Sequence, residues 1–359
     1  MNDTRQKNIL FYVLISLILA SGFLLLDKSY SVLCVLVVWV LLILFGMSQN
    51  NSGNALNIDS ANALRGICAL EIMLGHIGLA TNNIFLFPNR KAGILFVGIF
   101  FLLSGYGLSY SLDNKENYLN SFSKRIARIL ITFTPLLVCF CVIKVCINPE
   151  KSIVDIIINQ MFNSSYWYVW ELLGLYLLFY VIAKYKKEKL NLIMLISTMI
   201  FVVIAFLLGL NDTWFGSTLA FPLGMYYYSY LSKKEREKSK VPTWLLFIIF
   251  SLVLAASILC FFVSPDSFIG NCVARNIATV MFCLLVLIIL SKIKLGNPVI
   301  SFVSKISFEI YLIHSIIEEV LLQLGVNNDY IFLITTIILS IVVSYFYNRI
   351  IRRSKSIKV

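Results

Sequence analysis

The stretch R-G-I-C-A-L-E-I-M-L-G-H, Arg65 to His76, decides how this chain is read. It sits in an apolar segment, residues 62–80, long enough to cross a bilayer as a helix. Yet the stretch begins on an arginine, carries Glu71 and reaches a histidine eleven residues on. Eleven residues make about three helical turns, so Arg65 and His76 fall within about 20° of one face, about 16 Å apart along the axis. One side chain then sits near a helix end and the other deep in the span. A titratable group at that depth is a functional-site hypothesis by default. The competing reading is a histidine hydrogen-bonded inside a helix bundle. Glu71 points about 140° away from His76, and is expected to face a cation on another helix or to be neutral through desolvation.

The rest of the chain supports a membrane setting. Of 359 residues, 59% are hydrophobic and 13% charged, with a mean hydropathy of +0.87. Soluble domains are nearer 45–50% apolar and about 25% charged. Segments of roughly 20 apolar residues predict an all-α polytopic bundle with twelve spans. These lie near 8–26, 30–47, 62–80, 92–112, 126–147, 165–183, 190–209, 215–231, 242–263, 272–291, 302–324 and 329–350. The first apolar run is too long for a signal peptide and is read as a retained span. Residues 153–162 read as a short interfacial helix.

The net charge of +12 does not call for nucleic acid. With the N-terminus inside, twenty-four lysines and arginines fall on the inner segments and four (Lys28, Arg90, Lys91 and Lys151) on the outer ones. That asymmetry predicts both termini in the cytoplasm. The eight cysteines form no CxxC pair and read as small buried hydrophobes, with a Cys146–Cys272 disulfide as a minor alternative. Two histidines and no ligand spacing give no expectation of a metal site.

Five stretches, in order, resemble the acyltransferase-3 family of integral membrane acyltransferases. They are the Arg65-x10-His76 helix, F-F-L-L-S-G-Y-G-L from Phe100, K-R-I-A-R-I-L from Lys124 with Pro135 following, Y-W-Y-V-W-E from Tyr166, and S-F-E-I-Y-L-I-H from Ser307. The resemblance divides the chain into two N-terminal helices (1–50), a cytoplasmic linker (51–61), a ten-helix domain (62–351) and a basic tail (352–359). Two features depart from the family pattern. Two spans precede the Arg-His helix, and Asn62 stands where relatives commonly have an aspartate.

The resemblance implies transfer of an acyl group, usually acetyl, from cytoplasmic acyl-CoA to a hydroxyl of a cell-envelope glycan or lipid-linked sugar. No tightly bound cofactor is expected; acyl-CoA is a substrate. Such transfer needs a base for the hydroxyl proton and positive charge near the oxyanion or donor. His76 is expected to be the base and Arg65 to orient the donor, with an acyl-histidine as a lesser variant. Arg125 and Arg128, three residues apart, suit the phosphates of the donor, although positive-inside anchoring also accounts for them. Glu171 and Trp167 are candidates for the acceptor pocket, Glu171 alternatively pairing with Arg275. Ser307, Tyr311 and His314 form one helical stripe. Tyr311 and His314 are expected in a pocket, and Ser307 in interhelical bonding. Ser104 with Gly105 reads mainly as a close-packing pair, and as pocket lining in the minority reading. A sugar transporter or flippase, and a silent partner in a glycan-synthesis complex, remain the rival readings.

Overall fold

A computed structural model describes residues 2–24, 29–50, 54–162, 166–232 and 242–356. The chain is all-α and polytopic. The helices are α1 (Asn2–Phe23), α2 (Val32–Leu44), α3 (Ile58–Thr81), α4 (Phe87–Asn114), α5 (Phe122–Ile147), α6 (Ile153–Phe162) and α7 (Trp167–Tyr185). They continue as α8 (Leu190–Leu207), α9 (Ala220–Ser232), α10 (Thr243–Val263), α11 (Arg275–Lys292), α12 (Pro298–Ser304), α13 (Ser307–Gln323) and α14 (Asp329–Ser356).

Among the described residues, eight helices are long and apolar enough to cross a membrane, or nine if α12 and α13 count as one bent span. Helix α1 (Asn2–Phe23) covers most of the expected 8–26 span, residues 25–26 lying outside the described residues. The other expected spans are corrected in three places. Helices α2 and α9 have 13 described residues each, about 20 Å of helix, which is short of a hydrocarbon core of about 30 Å. The third is the expected 302–324 span, which is interrupted between Ser304 and Ser307 by a 77° bend.

Local chemistry explains these ends. The Asn297 side chain accepts from the Ile300 N–H at 2.9 Å, and Pro298 opens α12, so this short helix has its own N-terminal cap. Helix α9 starts late because the residues before it are tied elsewhere. Asn276 donates to the Phe215 carbonyl at 2.7 Å, and the Thr279 hydroxyl donates to the Gly216 carbonyl at 2.9 Å. Those carbonyls serve α11 rather than an extra turn of α9. Residues 153–162 form α6, as the sequence suggests, with Ile153, Val154, Ile157 and Ile158 exposed. Exposed apolar side chains such as Leu252 and Leu259 on α10 are ordinary for faces that meet lipid.

Two compact units emerge from the contacts. The first holds Met1–Gln49, Asn62–Gly93 and Lys294–Val359; the second holds Asn50–Ala61 and Ile94–Ile293. The two N-terminal helices therefore share a unit with most of α3 and with the C-terminal helices. They are joined to it by specific bonds. The Tyr330 hydroxyl donates to the Leu19 carbonyl at 2.6 Å, and Asn297 donates to the Leu42 carbonyl at 2.6 Å. Gly46 packs so closely on Gly296 that a side chain there would strike its carbonyl.

In the second unit the α4–α9 contact is made by reciprocal glycines. A Cβ at Gly105 would meet the Phe221 carbonyl, and one at Gly224 would meet the Leu102 carbonyl. Gly105, next to Ser104, thus has the packing role read for the pair; Ser104 itself is partly buried.

Candidate functional site

In the first unit, α3 carries Arg65 and His76 on one unbroken helix. Arg65 is exposed and donates to the Asn62 side-chain oxygen at 3.0 Å. The position where the family pattern has a carboxylate thus holds an amide, which satisfies a donor without cancelling its charge. His76 is partly buried. Its ring lies 5.0 Å from that of His314, centroid to centroid, at an interplanar angle of 58°. The Tyr311 ring follows at 6.0 Å from His314.

His314 is fully buried, and its ring is fixed from both sides. Nδ1 lies 3.0 Å from the Ile310 carbonyl, which can only accept, so Nδ1 carries the proton. Nε2 is left as an acceptor for the Ser315 hydroxyl at 3.3 Å. His76 differs: among the described residues its ring makes no hydrogen bond to the protein, and its neighbour is the His314 ring. Its nitrogens are therefore not engaged by the protein, whereas those of His314 are.

Glu71 accepts from two neutral donors, so of the two readings the sequence left open the partner cation is not found among the described residues. The Trp39 indole N–H reaches Oε1 at 2.8 Å, and the Asn89 amide reaches Oε2 at 2.7 Å. One carboxylate thereby joins α2, α3 and the start of α4. Gly75, the residue before His76, lets α4 approach: a Cβ there would lie 2.8 Å from the Asn89 carbonyl oxygen. The helix bearing His76 is thus held on the side away from His76 itself.

The second unit holds the arginine pair and Glu171. Arg125 is partly buried. It donates to the Tyr118 hydroxyl at 2.9 Å and to the Tyr176 hydroxyl at 3.3 Å, and lies over the Tyr176 ring at 5.1 Å. These partners are neutral, so they orient the fork and leave its charge to be met by an anion. Arg128 is exposed and is not equivalent to Arg125.

Glu171 accepts from the Thr218 hydroxyl at 2.6 Å, while its Oε2 is buried without a partner. It does not pair with Arg275, which instead binds Asp212 at 2.6 Å and covers the Phe261 ring at 4.5 Å. Arg275 opens α11 with the Asp212 carboxylate within reach. Trp167 is buried, with its ring 6.4 Å from that of Trp214. Cys146 and Cys272 are both free thiols, Cys146 exposed and Cys272 buried, so the alternative disulfide is absent.

Several partners escaped the sequence reading: Trp39 and Asn89 at Glu71, Tyr118 and Tyr176 at Arg125, Thr218 at Glu171, and Glu318 on α13. Only Glu318 left a signal, since it extends the Ser307–Tyr311–His314 stripe by one more turn.

The family model described as an acyltransferase domain, acyltransferase-3, matches residues 58–349, and the chain belongs to that family. It is a membrane acyltransferase. No curated protein and no solved structure matches the chain.

Proposed function

We propose that the protein moves an acyl group, acetyl in the simplest case, from cytoplasmic acyl-CoA to a hydroxyl of a cell-envelope glycan or lipid-linked sugar. The enzyme works in the cytoplasmic membrane with both termini inside. The acceptor hydroxyl attacks the thioester carbonyl while His76 takes its proton. The tetrahedral intermediate then loses CoA as the C–S bond breaks, and His76 returns the proton to the sulfur. Arg65 orients the donor, and Arg125 grips its phosphates with Arg128 as a weaker outer contact. Glu171 and Trp167 belong to acceptor recognition, and Tyr311 and His314 to the wall around His76.

The observation that supports this most is the contrast between the two histidines. His314 spends both ring nitrogens on the protein, whereas His76, beside it, spends neither. A general base must keep a nitrogen for its substrate, and only His76 does.

Donor binding tests the proposal. Purified protein in detergent is titrated with acetyl-CoA and with free CoA by calorimetry. Saturable binding weakened by Arg125→Gln supports the reading. A well-folded protein that binds neither ligand contradicts it and favours a transporter.

A further inference from the structure

Glu318 has no place in the account so far, yet it is unusual. It is 8% exposed, and its Oε1 is buried without a hydrogen-bond partner. A buried polar group without a partner is costly, and a carboxyl group in a membrane span is rarely kept without use. Helix α13 contains no lysine or arginine that could neutralise it.

Its direction is set by helical geometry. Ser307, Tyr311, His314 and Glu318 follow one another at intervals of four, three and four residues, so they share a stripe within about 60°. That stripe meets His76, because the His314 ring is 5.0 Å from the His76 ring. Glu318 stands one turn beyond His314, with Cβ atoms about 5–6 Å apart. The opposite face of α13 is used otherwise: Glu309, on that side, is bound by Asn348 at 2.6 Å.

We propose that Glu318 is an acceptor-binding residue. It receives a hydrogen bond from a hydroxyl next to the one that His76 deprotonates, so the site selects a polyhydroxylated acceptor over a simple alcohol. Glu318 takes no proton in the reaction and forms no covalent bond. A carboxyl group suits this task in either protonation state, because it accepts from one hydroxyl when ionised and both donates and accepts when neutral. A site built to hydrogen-bond a hydroxyl discriminates strongly against an analogue lacking it, since the buried group is then unpaired. The inference rests on the acyl-transfer reading above.

The test uses the full chain in lipid vesicles with radiolabelled acetyl-CoA and three acceptors: water, 1-propanol and glycerol. Wild type is compared with Glu318→Gln, Glu318→Leu and Glu319→Gln, the last lying about 100° off the stripe. Wild type should acetylate glycerol in preference to 1-propanol. Glu318→Leu should lower that preference about tenfold or more, a loss clearly larger than any change in acetyl-CoA hydrolysis. Glu318→Gln, which keeps the size and one acceptor oxygen, should retain part of the preference, and Glu319→Gln all of it. An unchanged preference in both Glu318 variants, or equal loss of hydrolysis and transfer in both, would overturn the proposal. So would a wild type that hydrolyses acetyl-CoA and acetylates neither alcohol. Absence of any acetyl-CoA turnover in the wild type would instead overturn the acyl-transfer reading itself.

Discussion

The His314 imidazole is locked to its own helix through the Ile310 carbonyl at 3.0 Å and presents its ring to His76 at 5.0 Å. A ring fixed in this way limits where the His76 ring can turn. Replacing it with alanine would open space beside the base without touching its nitrogens. His314→Ala should therefore lower kcat about a hundredfold, the scale of a misplacement of about 1 Å in a reacting group. The KM for acetyl-CoA should stay within about twofold. Steady-state kinetics on the purified variant check this, and an unchanged kcat would remove His314 from the site.

Gly75 tests the same positioning from the backbone side. Its missing Cβ would sit 2.8 Å from the Asn89 carbonyl oxygen, whereas Gly93 has nothing within 4 Å. Gly75→Ala must push α3 from α4 beside His76, a strain of about 1–3 kcal/mol. It should lower both turnover and the unfolding temperature, while Gly93→Ala should leave both near wild type. Thermal unfolding in detergent and acetyl-CoA turnover distinguish the two.

Glu71 ties the N-terminal pair of helices to α3. Trp39→Phe leaves Oε1 of a partly buried carboxyl group without its donor, at a cost of about 1–3 kcal/mol. Glu71→Gln disturbs the same contact, so the double variant should cost clearly less than the two single losses added. Unfolding measurements on the three variants check this. Additive losses would show that Trp39 and Glu71 act independently.

Arg125 and Arg128 should separate although only three residues apart. Two tyrosine hydroxyls hold the Arg125 fork, and a lysine cannot reproduce that geometry. Losing a charge-assisted hydrogen bond costs about 1.5–3 kcal/mol, so Arg125→Lys should raise the KM for acetyl-CoA about tenfold or more. Exposed Arg128 changed to lysine should shift it less than about twofold. Equal effects would return both residues to simple anchoring at the membrane surface.

The residues that were legible in the sequence are those whose meaning follows from one helix at a time. The three-turn spacing places Arg65 and His76 on one side of α3, and the 4-3 spacing gathers Ser307, Tyr311 and His314. What escaped is what depends on a second helix. Nothing local to Glu71 points to Trp39, 32 residues earlier on a helix that precedes the family's usual start. The partners of Arg125 lie seven residues before it and 51 after it. Span counting failed where apolarity outlasts the helix. Residues 302–324 read as one span in spite of Lys305 and Glu309, yet the backbone turns through 77° between Ser304 and Ser307. Residues 215–219 read as span, although the Phe215 and Gly216 carbonyls bond side chains of α11 and α9 begins only at Ala220.

The most direct test of the account is acetyl-CoA turnover by wild type and His76→Ala in lipid vesicles, supplied with crude envelope glycan as acceptor. The release of CoA thiol and the incorporation of label into the glycan are followed together. With His76 as the base, the variant should bind acetyl-CoA and unfold at the wild-type temperature, yet lose about 10²–10⁴-fold in transfer. A folded His76→Ala protein that transfers label at the wild-type rate would contradict the account.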